Sequence, residues 1–553
     1  MNIEKLYING SIYTMERPEW AEALGVCGKK IVFVGALDEA MRHIDDRTQL
    51  IDLENRMLMP GFVDAHSHPV YLTNNLHSPD LKNCQNMEEC QKLLKSHSEA
   101  YPDSSIIIGI NFMHHIFDSQ GPRKEIIDEV IDHKPVVIYA PDGHSLWVNS
   151  KTLEVCGINE KTECPKGGEF VKDSQGALTG FINAFPALNY VMARLPEFTT
   201  EEYAEGLLDY ITKAQKSGIT FVHDSDINSH RFYEAYQILN ERGALTLRAR
   251  LAASIYPDLD EPVERQYAKI IQYHKNPIGD LLRTDCLKIM LDGVVYTHTA
   301  ALNEPYRDEP DLYGDIQWDT GIMRDVCRKA YCDNLQIEIH CIGDKASDTS
   351  LTILEEVSRA NGANDSRPIL NHLQVISPET PKRMGKLGAV AVLNPQWIEK
   401  DYYYERAVKS LGNERGNALH PFKKFIDAGV MVAAGSDVPV EHREKPVEIY
   451  FAPLVAIQQG VTRCAIDEDC TRAENVLGSD EKVSLKEILK VFTINGAYAN
   501  FAENITGSLA PGKYADMIIL EKNLFDVPVD ALYNVKILET IFEGKTVYRQ
   551  EPF

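Results

Sequence analysis

Long apolar runs are missing from this sequence. None of its 553 residues lie in a stretch approaching the ~18 apolar residues that a membrane-spanning helix needs. The chain also begins without the basic segment and following apolar segment of a secretory leader. Its 11 cysteines are irregularly spaced and form no CxxC pair, which argues against both a disulfide framework and a cysteine-based zinc site. These absences predict a protein of the reducing cytoplasm with no membrane partner.

Positive charge is also scarce. Lysine and arginine total 57 against 82 acidic residues, a formal net charge of -25. Binding to nucleic acid needs a basic face, so this balance argues against a nucleic-acid partner. The excess of negative charge is most simply explained by solubility.

The two ends of the chain have a β-like pattern. LYINGSIYTM near the N-terminus contains two short β-prone runs around an Asn-Gly turn, and KILETIFEGKTVYRQ near the C-terminus repeats the pattern around Glu-Gly-Lys. We therefore predict a small β-sandwich domain made from both termini, residues 1–57 and 505–553.

Between these ends, helix-length amphipathic segments alternate with short apolar runs, the pattern of parallel βα units. Eight runs predict a TIM-type (β/α)₈ barrel over residues 58–504. The predicted strands cover residues 58–68, 135–145, 218–226, 287–293, 337–344, 369–374, 390–396 and 431–440. Turn glycines in KGGEFVKDSQGALTGF predict an inserted β element around 150–185.

The sharpest local motif is Asp64-Ala65-His66-Ser67-His68, which closes the first apolar run. Residues two apart on a strand face the same side, so both imidazoles should enter one cavity. At the carboxyl end of a barrel strand that cavity is the active site. A His-X-His motif alone is weak evidence, but its position after an apolar run favours a metal site.

Three further candidates follow other apolar runs: His340 in IEIHCIGD, His372 in ILNHLQ and Asp437 in AAGSDVPV. A single buried histidine is more often a core residue than a ligand. Four histidines and an aspartate at one end of the barrel are better explained together by a divalent metal, since an unpaired buried carboxylate is costly. Zinc suits such ligands, as do manganese, iron, cobalt and nickel.

Lys288 interrupts the apolar strand LKIMLDG and should point into the barrel. A buried lysine tends to lose its proton, and the neutral amine can take up carbon dioxide to form a carbamate. A carbamate would place a carboxylate between two metals. The alternative is a lysine paired with Asp292 or Asp437.

These motifs resemble those of the amidohydrolase superfamily: MPGFVDAHSHP, LKIMLDG, IHCIGD, LNHLQ and AAGSDVPV occur in the expected order. DGHSLWVNS, DGVVYTHTAALNEPY and HCIGDKASD resemble the type-3 branch, which includes N-substituted formamide deformylase. The resemblance implies that His66 and His68 hold a buried metal, that His340 and His372 hold a second, and that carboxylated Lys288 bridges them. Asp437 would contact the metal and shuttle the proton.

Four residues are candidates for substrate contact. His144 and Trp147 belong to DGHSLWVNS, while Asp292 and His298 follow the fourth predicted strand. For His144 and Trp147, packing in and beside the strand is an equal alternative. Thr297-His298 stands where relatives often carry Ser-Arg, so substrate specificity does not carry over from them.

The sequence thus predicts a hydrolase that cleaves a non-peptide carbon–nitrogen bond of a small molecule, such as an N-acyl amine or N-substituted formamide. One or two zinc ions per chain would activate the water. The alternatives are a cyclic-amide or lactone hydrolase, a deaminase on the same barrel, and a non-catalytic metal-binding scaffold. A homodimer is the default assembly.

Overall fold

The computed structural model describes residues 2–76, 78–113, 116–117, 121–140, 145–165, 168–183, 185–257, 261–274, 277–362, 364–439 and 447–550. The strands are β1 Lys5–Tyr13, β2 Trp20–Cys27, β3 Lys30–Gly35, β4 Gln49–Asp52, β5 Met57–Pro60, β6 Phe62–Ser67, β7 Ile107–Gly109, β8 Val136–Tyr139, β9 Ser145–Val148, β10 Glu169–Lys172, β11 Leu178–Asn183, β12 Ile219–Ile227, β13 Arg248–Ile255, β14 Leu282–Met290, β15 Gln336–Cys341, β16 Ile369–His372, β17 Val390–Leu393, β18 Met431–Ala434, β19 Met517–Leu520, β20 Ile537–Phe542 and β21 Lys545–Arg549.

The α-helices are α1 Leu37–Ala40, α2 Leu72–Leu76, α3 Met87–Ala100, α4 Lys124–Asp128, α5 Ser150–Val155, α6 Phe185–Met192, α7 Thr200–Lys216, α8 His230–Glu241, α9 Val263–His274, α10 Thr320–Cys332, α11 Asp344–Asn361, α12 Thr380–Leu387, α13 Tyr402–Leu411, α14 Asn413–Asn417, α15 Phe422–Asp427, α16 Val447–Phe451, α17 Pro453–Thr462, α18 Leu485–Val491 and α19 Ile494–Ala499. Among the described residues, no helix is long and apolar enough to cross a membrane.

Strands β6 and β12 to β18 form a parallel eight-stranded barrel in which the spatial order follows the chain order. This confirms the predicted barrel. The first and last strands meet just beyond their carboxyl ends, where the Asp437 N–H donates to the His66 carbonyl and the His68 N–H to the Val438 carbonyl, both at 2.8 Å. The join between first and last strand therefore passes through the predicted metal site.

The prediction of the second barrel strand at 135–145 is wrong. β8 and β9 lie instead in an inserted five-stranded sheet of order β10-β11-β9-β8-β7, which spans Ile107 to Asn183. The overlooked barrel strand is β13, whose sequence RARLAASI contains two arginines that break the apolar run. Both arginines are buried and paired with acids, so the strand is a core strand despite their charge.

Helix α7 shows how the local sequence fixes an outer barrel helix. Thr199 and Glu202 form a capping box at its start, and Gly218 follows its end with φ of 75°. Tyr203 and Leu207 are buried on its inner face, whereas the neighbouring Leu208 is 42% exposed.

The two chain ends form one eight-stranded sheet of order β21-β20-β19-β5-β1-β2-β3, with β4 also pairing with β1. Strand β1 pairs along the same edge first with β4 and then with β5, so the sheet forks there. Apolar side chains from both termini, including Leu24, Leu58 and Met517, share one core cluster.

Candidate active site

Three predicted ligands converge at the carboxyl end of the barrel. Asp437 Oδ1 lies 3.1 Å from His66 Nε2 and 3.0 Å from His68 Nε2. One ligand atom from each residue lies within 4.8 Å of the others, close enough to hold one metal ion. All three side chains are buried.

Backbone geometry around Asp437 makes this convergence possible. Asp437 adopts a left-handed conformation with φ of 59°, a region more accessible to aspartate than to most residues. Gly435 passes so close to His66 that a Cβ there would lie 2.3 Å from the His66 Cβ. Only glycine at position 435 permits this approach between the first and last strands.

His372 and His340 lie beside these ligands. The ring centroids of His372 and His66 are 4.9 Å apart, and those of His372 and His340 are 4.6 Å apart. His372 Nδ1 lies 2.8 Å from the Asn394 side-chain oxygen, whose amide nitrogen donates to the Gly435 carbonyl. The Asn394 oxygen therefore accepts from the ring, which leaves His372 Nε2 with a free electron pair.

Glu338 is a central member of the site that the sequence reading missed. It is 0% exposed and lies two residues before His340 on β15, on the same face of the strand. Its Oε1 lies 2.8 Å from His66 Nδ1, and its Oε2 lies 2.9 Å from His223 Nε2. His223 was also not predicted from the sequence. The alternation of the polar residues Gln336, Glu338 and His340 within an apolar strand is the sequence pattern that could have predicted Glu338 on the same face as His340.

Lys288 points into the barrel as predicted, but its partner is neither Asp292 nor Asp437. Its Nζ lies 3.1 Å from Glu338 Oε1, and both side chains are at most 1% exposed. The Lys288 ammonium and the Glu338 carboxylate therefore form a buried ion pair directly beneath His66.

The electrostatics of the site favour neutral forms of His340 and His372 and an ionised Asp437, whereas, against the effect of burial, the Asp437 carboxylate raises the pKa of His68. Burial, with the nearby Lys288 charge, lowers the pKa of His340 to about 3, and burial with His340 lowers the pKa of His372 well below its ordinary value. Burial opposes ionisation of Asp437, but the adjacent His66 and His68 side chains hold its pKa well below the usual range. Neutral imidazole and carboxylate are the forms that bind metals.

Asp292 supports the backbone at the mouth of the barrel. Its carboxylate accepts hydrogen bonds from the backbone N–H groups of Ala301, Ile342 and Gly343, at 2.9 to 3.0 Å. Burial raises its pKa to about 7 against these bonds. Asp292 thus ties together the loops that follow β14 and β15.

His298 lies in the same loop, with its Nε2 2.9 Å from Asp308 and its ring centroid 4.6 Å from that of Tyr306. Its side chain is 23% exposed. A role for Asp292 or His298 in substrate contact stays a prediction.

Trp147 is fully buried in the inserted sheet rather than exposed as a pocket wall. Its ring packs edge-on against Phe112 and Phe117, and its indole N–H donates to the Arg123 carbonyl at 2.9 Å. The structure therefore places Trp147 in the packing of this sheet. His144 lies outside the described residues.

A small cavity of about 40 Å³ adjoins the candidate metal site. Trp397 stacks on His372, with ring centroids 5.1 Å apart and an angle of 12°, and forms one of its walls. Val295, Tyr296, Tyr403 and Leu419 line it as well, together with the polar side chains of Gln374, Glu399 and Asp401. Its position makes it a candidate pocket for part of a substrate.

The residues present fit a divalent metal. His66, His68 and Asp437 offer two nitrogens and a carboxylate, and the bond from His66 Nδ1 to Glu338 leaves Nε2 free to coordinate. Within the described residues, the buried His68 Nδ1 is among the side-chain atoms that have no hydrogen-bond partner, so this candidate ligand has a ring nitrogen available to a further group.

Comparison with known proteins agrees with this geometry. Residues 49–548 match the model of the amidohydrolase family. The chain belongs to the amidohydrolase family. Members of this family are metal-dependent, and the protein is accordingly a hydrolase that acts on carbon–nitrogen bonds.

Relatives of this amidohydrolase extend over nearly its whole length. The putative amidohydrolase YtcJ of Bacillus subtilis (strain 168) is 26% identical over 99% of this chain and 100% of its own. N-substituted formamide deformylase of Arthrobacter pascens is 25% identical over 99% of this chain and 98% of its own. An uncharacterized metal-dependent hydrolase from Pyrococcus furiosus shares the fold, with a TM-score of 0.76 and 23% identity over 94% of this chain and 99% of its own.

Proposed function

We propose that the protein hydrolyses the carbon–nitrogen bond of a small linear amide, an N-acyl amine or N-substituted formamide, with zinc as the metal. The arrangement of Asp437 between His66 and His68 carries the proposal, because it puts a buried carboxylate at the place where a water would be activated. The deformylase named among the relatives supports the formamide class.

Asp437 would act as the proton shuttle. A divalent metal at this site would supply hydroxide at neutral pH and polarise the substrate carbonyl. Asp437, held ionised by its two histidines, would take the proton from the attacking water and deliver it to the leaving nitrogen. The aromatic cavity beside Trp397 would hold the apolar substituent of the substrate.

One observation keeps a deaminase as a second candidate. A lysine on the fourth barrel strand counts against a one-metal deaminase only if that lysine bridges two metals. Because Lys288 is paired with Glu338 in this structure, it does not discriminate between the two reactions. A two-metal form would require Lys288 to leave this pair and become a carbamate.

The test combines elemental analysis of the purified protein with a substrate panel. We expect at least one zinc per chain and turnover of N-substituted formamides or N-acyl amines, with loss on chelation and recovery on adding zinc. Turnover of cyclic amides, lactones or amino-substituted heterocycles instead would move the assignment to those classes. A fully metallated protein that turns over nothing would be a scaffold. Small-molecule binding and a homodimer stay predictions.

A further inference from the structure

Glu338 is a heavily hydrogen-bonded buried carboxylate beside the candidate ligand His66. It receives His66 Nδ1 and Lys288 Nζ on Oε1, His223 Nε2 on Oε2, and the Asn371 side-chain amide. These four donors come from four barrel strands, β6, β12, β14 and β16. A carboxylate bonded in this way has one orientation available to it.

That orientation determines which nitrogen of His66 can bind a metal. His66 Nδ1 donates to the Glu338 carboxylate, so Nε2 is the ring nitrogen left for coordination. Nε2 is the atom that faces Asp437, at 3.1 Å. A carboxylate behind a metal-binding imidazole both aims the ring and makes it a stronger ligand.

A chain of hydrogen bonds connects Glu338 through His223 to helix α19. His223 Nδ1 lies 2.6 Å from the Asn500 side-chain oxygen, and the Asn500 amide donates to the Gly496 carbonyl in helix α19. Both nitrogens of His223 thus face oxygen acceptors. The chain Asn500, His223, Glu338, His66 links the helix beneath the barrel to the metal site.

Lys288 completes the arrangement. Its Nζ lies 3.1 Å from Glu338 Oε1, the same oxygen that faces His66 Nδ1. His223, Cys286 and Glu338 could by distance hold a metal of their own, but the Glu338 oxygens already receive four donors, one of them the Lys288 ammonium. A cation there would face the lysine charge.

We propose that Glu338 is a positioning residue for the metal centre, which fixes the orientation of His66 so that its Nε2 faces the site formed with His68 and Asp437. The proposal rests on the proposed metal-dependent function.

The experiment is zinc binding by Glu338→Gln, which keeps the shape but removes the charge. We expect zinc affinity to fall by about 10- to 100-fold, measured by competition with a chromophoric chelator on stripped protein. The visible spectrum of the cobalt-substituted protein should also change. Asp516→Asn is the matched control, the same change at a buried acid far from the ligands, and it should leave zinc affinity unchanged.

Asn500→Ala provides a second variant if Glu338→Gln does not fold. It removes the acceptor behind His223 without touching a ligand, and we expect a smaller loss of zinc affinity in the same direction. Unchanged zinc affinity and an unchanged cobalt spectrum in the folded variants would overturn the positioning role.

If no substrate is turned over while Glu338→Gln still weakens zinc binding, the proposed function fails and the positioning role stands.

Discussion

The two ends of the barrel bury charge in different ways. At the end that faces the terminal sheet, which we call the arginine end, Arg248 pairs with Asp516 at 3.0 Å and Arg250 with Asp285 at 2.6 Å. At the other, catalytic end, histidines and Lys288 surround two carboxylates. Both ends are buried, but only one uses groups that readily change protonation or bind metal.

The difference follows from the chemistry of the side chains. Arginine keeps its charge and binds carboxylates in a planar geometry, so the arginine end is a fixed structural joint. Arg250 and Arg367 also lie against the ring of Phe501, just after α19, which closes this end. Imidazole offers an electron pair to a metal, so the catalytic end can do chemistry. We therefore expect substitutions at the arginine end to lower mainly the stability and substitutions at the catalytic end to lower mainly the turnover.

The largest effect should come from Asp437→Asn at the catalytic end. Without a carboxylate to move the proton, we expect kcat to fall by about 10³-fold, within the range for general acid–base catalysis. Near-UV circular dichroism should match the parent, since the amide keeps the shape. Equal turnover in variant and parent would remove Asp437 from the mechanism.

Asp516→Asn should show the opposite behaviour at the arginine end. Arg248 would keep Glu543 as an acidic partner, but the charge that also accepts from Thr506 and the Glu543 N–H would be lost, and we expect the free energy of unfolding to fall by about 3 kcal/mol. Urea denaturation at pH 7 measures this, and kcat of the folded protein should stay unchanged. A fall in kcat without a loss of stability would contradict the expectation that the arginine end acts on stability alone.

Gly435→Ala tests the join between β6 and β18, where stability and catalysis meet. The added methyl group would lie 2.3 Å from the His66 Cβ, so the strands must shift. We expect a loss of about 2 kcal/mol in unfolding free energy, typical of overpacking, together with weaker zinc binding. Gly321→Ala, where a Cβ would meet only Asp319 Oδ1 at 3.1 Å, is the control and should change neither quantity.

Asp285→Asn should give the smallest effect, a fall of about 1.5 kcal/mol in the free energy of unfolding at pH 7, because Arg250 keeps Gln336 as a hydrogen-bond partner. Burial opposes ionisation of Asp285, but Arg250 and Arg283 hold its pKa well below the ordinary value. In acid, the unfolded chain therefore binds more protons at this carboxyl group than the folded chain does. The contribution of the Asp285 carboxylate to the free energy of unfolding is complete above about pH 4 and is lost as the pH falls.

The measurement is denaturation of parent and variant between pH 7 and pH 3. The difference in free energy of unfolding between parent and variant should become smaller as the pH falls. A constant difference over this range would mean that the carboxylate charge of Asp285 does not stabilise the arginine end.

Some features of the site follow from local sequence. His66, His68 and Asp437 each come at the end of an apolar run, and parallel strands bring such positions to one end of a barrel. Hence the barrel and the group of ligand types could be predicted without coordinates. The family match over residues 49–548 confirms the amidohydrolase resemblance.

Other features could not be read this way. Strand β13 was missed because Arg248 and Arg250 look like surface residues until their partners, 268 and 35 residues away, are known. The run at 135–145 has the same apolar pattern whether it joins the barrel or the inserted sheet.

By itself, the sequence determined the parallel barrel, the residue types at its catalytic end and the family to which the chain belongs, because periodicity and motifs are local. The tertiary structure decided which polar groups pair in the interior. Glu338 meets His66, 272 residues away, and Lys288, 50 residues away, only when the barrel closes. These contacts join residues on different strands, so no local pattern in the sequence could predict them.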